Sequence, residues 1–180
     1  MMPILTAAAV LAGLLCVLDL MLTLGVIRRL REHTALLTDL NGGPASIKAG
    51  EEVGEFTTLT VEGKPLNRAA MAEETLVAFF SPDCGPCQEK MPKFVEYAST
   101  LPGGRDRVLA VVVAEPHEGT EFLSALAPVA QVVRESPDGP VGTAFKVRAY
   151  PLVLAVARDR RDRVIVTDDR VALEQAVAAA

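Results

Sequence analysis

The sequence predicts an α/β domain that follows an N-terminal transmembrane helix. Residues 4–27 are predominantly apolar, and Asp19 is their only charged side chain. Beyond residue 43, short apolar runs typical of β-strands alternate with stretches that have helical periodicity, which is the pattern of an α/β domain. We therefore expect a transmembrane anchor and an amphipathic stalk in residues 1–43, and one folded domain in residues 44–180.

The apolar segment is long enough to cross a bilayer. As a helix, residues 4–27 would reach about 36 Å, and the hydrocarbon core is about 30 Å thick. A cleaved signal peptide is disfavoured because no basic residue precedes the segment, and a lipoprotein site at Cys16 is disfavoured because Leu15 is not a small residue. A carboxylate at Asp19 opposes insertion by about 3 kcal/mol, so this acid either contacts another membrane helix or stays isolated and protonated.

The anchor is followed by a short stalk. Leucines at positions 30, 36, 37 and 40 predict an amphipathic helix that lies at the membrane surface or against a partner. Two glycines followed by a proline, at positions 42–44, end this helix and mark the domain boundary.

The domain begins with predicted strands and a long helix. Residues 56–61 are rich in β-branched side chains and, with a turn at 62–64, predict a hairpin. Residues 76–81 form a continuous apolar run, as in a strand that is buried on both faces of a sheet. Residues 87–100 predict a helix with a kink at Pro92.

In the second half of the domain, predicted strands and helices continue to alternate. Residues 108–114 predict another buried strand and residues 119–127 a helix. Strands are predicted over 152–157 and 164–167, joined by a charged turn, and a short helix over 171–177 closes the domain.

The charge balance excludes one class of partner. The chain has 18 basic and 23 acidic residues, and all of the excess acid falls in residues 44–180. Nucleic-acid binding needs clustered Lys and Arg, so we expect no nucleic-acid partner.

Cys84 and Cys87 are the candidate reactive groups. They follow a buried strand and open a helix, where unpaired N–H groups and the helix dipole stabilise a thiolate. In this setting Cys84 would attack a substrate disulfide and Cys87, one turn further along, would resolve the mixed disulfide. A zinc site needs four ligands, and only Cys16, His33 and His117 remain as candidates, so we expect neither a metal nor a cofactor beyond the Cys84–Cys87 disulfide.

The arrangement resembles the thioredoxin fold: an apolar strand, then C-G-P-C, then a helix with Pro92 five residues after the second cysteine. This resemblance implies a central mixed sheet flanked by helices. It also implies that Tyr150-Pro151 has a cis peptide bond beside the sulfurs, where substrate would be bound. The other substrate-binding positions implied are Asp83, Gly85, Pro86 and Tyr150.

The order of elements and the anchor are similar to those of membrane-tethered thiol:disulfide oxidoreductases of the TlpA and ResA type, and the N-terminal anchor and stalk are similar to those of MauD-like proteins. Two positions depart from the pattern. Asp83 stands where tryptophan usually precedes the first cysteine, and this carboxylate should oppose thiolate formation at Cys84. Ala78 stands where thioredoxin has a buried acid, so we consider Glu115 as the proton acceptor for Cys87, with an ordinary exposed loop acid as the alternative.

We therefore expect a membrane-tethered thiol:disulfide oxidoreductase that reduces a disulfide in a partner protein. A peroxiredoxin-like peroxidase is one alternative, because Ser81 and Cys84 have the spacing of an S-x-x-C motif. A non-catalytic assembly factor for a membrane or secreted partner is another. The expected partners are a protein disulfide or dithiol, an electron donor for which a membrane protein is one candidate, and the lipid bilayer.

The two indications of topology conflict. Arg28, Arg29 and Arg31 flank the C-terminal side of the span, so the positive-inside rule places the domain in the cytoplasm. The resemblance places it outside the cytoplasm, where protein disulfides persist. We expect a single-pass protein of the cell membrane with an extracytoplasmic domain.

Overall fold

The computed structural model describes Gly13, Met21 and residues 46–173. The chain divides into two compact units, Met1–Gly43 and Pro44–Ala180. The described part of the chain contains no helix of the length and apolarity that a membrane crossing requires. Apart from Gly13 and Met21, the predicted anchor lies outside the described residues, as do the stalk, Cys16, Asp19, His33 and most of the helix predicted over 171–177.

A five-stranded mixed sheet forms the centre of the domain. Its strands are β3 (Glu74–Phe80), β4 (Val108–Val113), β5 (Gln131–Glu135), β6 (Leu152–Arg158) and β7 (Val164–Asp168), in the order β5-β4-β3-β6-β7. Strands β4 and β5 continue the sheet in parallel on one side of β3, and β6 and β7 are antiparallel to their neighbours on the other side. The predicted strand over 76–81 is thus the central strand, with a partner on both edges.

A separate hairpin precedes the sheet. Strands β1 (Thr57–Leu59) and β2 (Pro65–Asn67) pair antiparallel, as predicted. The hairpin is linked to the main sheet because the N–H of Val61 donates to the carbonyl of Val132 on β5 at 2.8 Å. This contact covers part of an edge strand that would otherwise be open.

Three α-helices connect the strands: α1 (Gly85–Thr100), α2 (Thr120–Leu126) and α3 (Pro140–Ala144). Pro92 lies inside α1, as the sequence predicts. Two short 3₁₀ helices, Arg68–Ala70 and Gly104–Arg107, complete the described elements.

Two elements were missing from the sequence-based interpretation. Strand β5 and helix α3 both fall between residues 128 and 149, where no element was predicted. Helix α3 is only five residues long and contains Pro140 and Gly142, which gives it little helical propensity. Its N-terminal N–H groups are bound by Glu135, the last residue of β5, so the two elements form together.

Alternating side chains of β3 and β4 build a core on each face of the sheet. On one face Val77, Phe79 and Val111 pack with Phe145 and with the segment that carries Ile47 and Val53. On the other face the apolar side chains contact helices α1 and α2.

The second face fixes the position of α1. The rings of Phe80 and Phe94 lie 5.4 Å apart in an edge-to-face arrangement, and both are fully buried. Because Phe80 ends β3 and Phe94 lies in the middle of α1, the contact holds the first turn of the helix at the carboxyl end of the central strand. The chain between these two elements contains both cysteines of the predicted pair.

Candidate redox site

The segment from Ser81 to Cys84 forms a tight elbow between β3 and α1. The N–H of Cys84 donates to the carbonyl of Ser81 at 3.2 Å. From the helix side, the side-chain amide of Gln88 donates to the carbonyl of Pro82 at 2.8 Å. The elbow is therefore closed both from the strand and from the helix, and the backbone at Asp83 and Cys84 is held between them.

Cys84 is the N-cap residue of α1 and has an extended backbone conformation. Its carbonyl accepts the N–H groups of Cys87 and Gln88 at 2.9 and 3.1 Å, which are the first hydrogen bonds of the helix. The Cys84 thiol is half-buried and free of a disulfide. Its sulfur thus lies at the positive end of a 16-residue helix and remains accessible.

Cys87 lies behind Cys84 with no exposed surface. The backbone N–H of Ser81 donates to its sulfur at 3.4 Å. Burial, and then the hydrogen bond and charge of Cys84, raise the pKa of the Cys87 thiol to about 12, although the Ser81 N–H and the Lys90 ammonium act in the opposite direction. The pair therefore contains one accessible sulfur and one buried thiol that stays protonated at neutral pH.

The Tyr150–Pro151 peptide bond is cis, as the sequence predicts. The Cys84 thiol donates to the carbonyl of Tyr150 at 3.6 Å, which is within the range of hydrogen bonds to sulfur. The structure therefore brings the cis-proline turn, 66 positions away along the chain, against the nucleophile candidate. Burial, followed by the negative charges of Glu135, Asp138 and Cys87, raises the pKa of the Tyr150 phenol.

Glu135 is a buried acid that sequence reasoning missed. It is 8% exposed, and its two carboxylate oxygens accept the N–H groups of Val141 and Gly142 at 3.0 and 2.7 Å. Burial raises the pKa of this carboxyl above its ordinary value of 4.5, although the two backbone N–H groups act in the opposite direction. Glu135 thereby holds α3, which leads into the Tyr150–Pro151 turn.

The predicted substrate-binding positions surround Cys84. Asp83, Gly85 and Pro86 are exposed next to it along the chain, and Tyr150 is half-buried across from it. The structure thus gathers the predicted pair, the cis-proline and these four residues in one place.

Glu115 is the sequence-based candidate for the proton acceptor of Cys87. It is exposed in the loop after β4, and among residues 46–173 no hydrogen bond joins its side chain to either cysteine. The C-terminal end of the same loop, at Gly119, lies against the elbow formed by Ser81 to Cys84. A Cβ atom at Gly119 would lie 2.9 Å from Cγ of Pro82, so the loop packs closely against the elbow.

Two further residues near the pair were not singled out from the sequence. Gln88 closes the elbow, and Lys90 is the charged side chain that acts on Cys87. Their spacing was the available signal: Gln88 lies four residues after Cys84 and Lys90 three residues after Cys87, and residues three or four apart lie on one side of a helix. Within residues 46–173, no group of three His, Cys, Asp or Glu side chains is arranged to hold a metal ion.

Comparisons with known proteins give matches among solved structures. No family model matches the chain, and no curated protein matches it. A domain of a possible thiol-disulfide isomerase from Cytophaga hutchinsonii superposes with a TM-score of 0.52 at 18% identity, covering 73% of this chain and 89% of that one.

Two other solved structures are similar at lower scores. A thio-disulfide isomerase from Thermus thermophilus has a TM-score of 0.48 at 23% identity, covering 70% of this chain and 89% of that one. The exposed lipoprotein thioredoxin Etrx1 from Streptococcus pneumoniae has a TM-score of 0.47 at 20% identity, covering 67% of this chain and 93% of that one. The observed sheet order and the match to the Cytophaga domain confirm the predicted thioredoxin-like fold.

Proposed function

We propose that this protein is a thiol:disulfide oxidoreductase in which Cys84 is the nucleophile and Cys87 the resolving thiol. One observation carries the proposal. A half-buried Cys84 begins a long helix and lies against the carbonyl that precedes a cis-proline, while Cys87 is fully buried one turn behind it. An accessible sulfur at a helix N-terminus can form a thiolate, and a buried second thiol can complete the exchange without competing for substrate.

The favoured direction is reduction of a disulfide in a partner protein. The Cys84 thiolate attacks one sulfur of the substrate disulfide, forms a mixed disulfide and releases the other substrate sulfur as a thiolate, which takes up a proton. The Cys87 thiolate then attacks the sulfur of Cys84. This step forms the Cys84–Cys87 disulfide and releases the second substrate thiol. Two electrons and two protons pass from the dithiol to the substrate, and a dithiol donor must return them.

The protonation of Cys87 fits this order of events. Two of the influences that raise the pKa of Cys87 come from the hydrogen bond and charge of Cys84. Both are lost once Cys84 is bonded to substrate, while the Ser81 N–H and the Lys90 ammonium remain. Cys87 is therefore easier to deprotonate in the mixed disulfide, when it has to attack, than in the free dithiol.

Substitution of the two cysteines tests the proposal. In an insulin-reduction assay with dithiothreitol as donor, we expect Cys84→Ser to lower the catalysed rate by about 100-fold or more, since the nucleophile is removed. Cys87→Ser should accumulate a mixed disulfide on Cys84 that can be isolated without reductant and identified by mass spectrometry. An unchanged rate for Cys84→Ser would overturn the proposal, and failure of Cys87→Ser to trap any protein would exclude a protein substrate.

We further propose that residues 4–27 tether this domain to the membrane and that the domain faces the extracytoplasmic side, as in TlpA, ResA or MauD-like proteins. The apolar length supports the tether, and the need of a protein disulfide for an oxidising compartment supports the orientation. A membrane-impermeant maleimide, applied to intact cells after reduction, should label Cys84. Labelling only after lysis would place the domain in the cytoplasm, as the basic flank at Arg28, Arg29 and Arg31 would require.

A further inference from the structure

A groove beside the cysteine pair provides a place for substrate residues on one side of Cys84. We define the Lys90 groove as the cavity of about 460 Å³ between the first turns of α1 and residues 171–173. Pro86 and Pro151 form the end of the groove that adjoins the redox site, and Glu89, Lys90 and Lys93 line its helical wall. A chain segment that leaves Cys84 across Pro86 and Pro151 would therefore enter the groove.

The charge of this groove differs from that of the rest of the domain. The helical wall of the groove presents the Lys90 ammonium, whereas the chain as a whole has a formal charge of −5. Lys90 is half-buried, and it forms no ion pair with any residue that the structure describes. Many other basic side chains have carboxylate partners, for example Arg68 with Glu52 and Arg163 with Asp159. Lys90 is thus a cation that lines an open groove and has no carboxylate partner among the residues that the structure describes.

Lys90 is also close to the reacting sulfurs. It lies three residues after Cys87 and therefore on the same side of α1. Its positive charge acts on the Cys87 sulfur, where it partly offsets the effect of burial on the thiol. A carboxylate bound at Lys90 would consequently lie within a few residues of the cysteine that Cys84 attacks.

Two acids near Cys84 do not line the Lys90 groove. Asp83 precedes the nucleophile and is exposed, and Asp138 lies close enough to Tyr150 for its charge to act on that phenol. An acidic segment would be repelled by these two acids and attracted by Lys90, which favours binding in the groove.

We propose that the Lys90 groove binds an acidic segment of the partner protein, and that the enzyme prefers disulfides in which Asp or Glu lies next to the attacked cysteine. This inference rests on the proposed disulfide exchange at Cys84 and names its substrate class. The partner carboxylate pairs with the Lys90 ammonium, and the adjoining backbone crosses Pro86 and Pro151.

A set of three peptides tests the preference. Each contains the same fluorogenic intramolecular disulfide, and they differ only in whether two Asp, two Ser or two Lys residues flank one cysteine. With the full chain in detergent at low ionic strength, we expect kcat/KM for the Asp peptide to exceed that for the Lys peptide by about tenfold, as for a few partly exposed charge pairs. The ratio should approach one near 1 M salt, where the screening length is about 3 Å.

Charge variants assign the preference to Lys90. Lys90→Gln should reduce the Asp-to-Lys ratio to about twofold, and Lys90→Glu should bring it to one or reverse it. Lys64→Glu is the matched control, since Lys64 lies in the hairpin turn outside the groove and should leave the ratio unchanged. If Lys90 acted only on Cys87, all three peptides would slow by one factor and the ratio would stay constant, and that result would overturn the proposal.

Different results would contradict the groove proposal and the disulfide-exchange proposal. If the wild-type chain reduces all three peptides equally, the groove proposal is wrong and the disulfide exchange stands. If the wild-type chain reduces none of them, or Cys84→Ser reduces them equally well, the exchange itself is overturned and the groove proposal falls with it.

Discussion

At the scale of single residues, the candidate site contains two sulfurs in one helical turn that differ in exposure. Cys84 is half-buried at the helix N-terminus, whereas Cys87 has no exposed surface and its pKa is about 12. The ordinary value for this thiol is 9.0, so the folded dithiol binds the proton of Cys87 more tightly than the unfolded chain does. The stability of the reduced domain should accordingly fall as the pH rises from about 9 towards 12.

Alkylation gives a direct check on this contrast. We expect iodoacetamide at pH 8 to modify Cys84 of the reduced full chain and to leave Cys87 unmodified, because Cys87 has no exposed surface and because a thiol with a pKa of about 12 has a thiolate fraction on the order of one in ten thousand in the free dithiol. Peptide mapping by mass spectrometry separates the two sites, and Cys16 is scored on its own peptide. Denaturation in urea before labelling is the control, since it should make both cysteines reactive. Equal modification of both in the native protein would contradict the prediction.

Glu135 provides a second residue-scale prediction. Replacing it by Ala should lower the free energy of unfolding by about 2 kcal/mol, because the buried N–H groups of Val141 and Gly142 lose their acceptors. Burial raises the pKa of Glu135 above its ordinary value of 4.5, so protonation of this carboxyl stabilises the folded state relative to the unfolded chain. This stabilisation is complete below pH 4.5 and is lost as the pH rises through the raised pKa of the folded state. Urea unfolding between pH 4 and 8 should show this fall in the wild type and not in Glu135→Ala.

An exposed acid serves as the control for that experiment. Glu118→Ala changes a carboxylate in the loop after β4 and should alter the stability by less than about 0.5 kcal/mol. If Glu135→Ala and Glu118→Ala behave alike, Glu135 does not hold α3.

The sequence predicted the local geometry around the cysteine pair better than the residues that support it. The cysteine pair, its place between a buried strand and a helix, and the cis bond before Pro151 all follow from local pattern and resemblance. Glu135 was not predicted because a glutamate at the end of a strand is usually exposed, and only the later packing of α3 encloses it. Glu115 was considered for a role near Cys87 because it too follows a strand, and the structure leaves it exposed.

At the scale of elements, strand β3 and helix α1 were predictable because each carries a long, regular pattern. Strand β3 is a continuous apolar run, and α1 extends over 16 residues. Strand β5 and helix α3 have five residues each and depend on contacts with β4, Glu135 and Phe145, which no local pattern encodes. The missed elements are thus those whose stability comes from tertiary packing.

The junction between α2 and the redox elbow yields an element-scale prediction. Gly119 has φ +74° and a Cβ there would meet Pro82, whereas Gly63 has φ +76° and open space around it. Alanine at either site should destabilise the domain by about 1 kcal/mol through backbone strain. Only Gly119→Ala should also displace Pro82 and slow disulfide reduction several-fold, measured as kcat/KM with a peptide disulfide. Equal rates for the two variants would show that the loop does not position the elbow.

At the scale of the whole molecule, the chain divides at residue 43 into two compact units, and the proposed chemistry lies entirely in the second. Deletion of residues 2–43 should therefore move the protein out of the membrane fraction while leaving the pH dependence and rate of peptide-disulfide reduction within about twofold of the full chain in detergent. Carbonate extraction followed by immunoblotting measures the first, and the fluorogenic assay the second. A deleted chain that remains in the membrane fraction would contradict the proposed tether.

The hydrogen bond from the Ser81 N–H to the Cys87 sulfur joins the end of the central strand to the first turn of α1. The electron density at that sulfur changes when the thiol becomes half of a disulfide, and an amide proton that touches it experiences the change directly. The Ser81 resonance in a ¹⁵N-correlated NMR spectrum is therefore a built-in readout of the oxidation state. Titration against glutathione buffers, followed at this one peak, would give the reduction potential of the pair without a label on either cysteine.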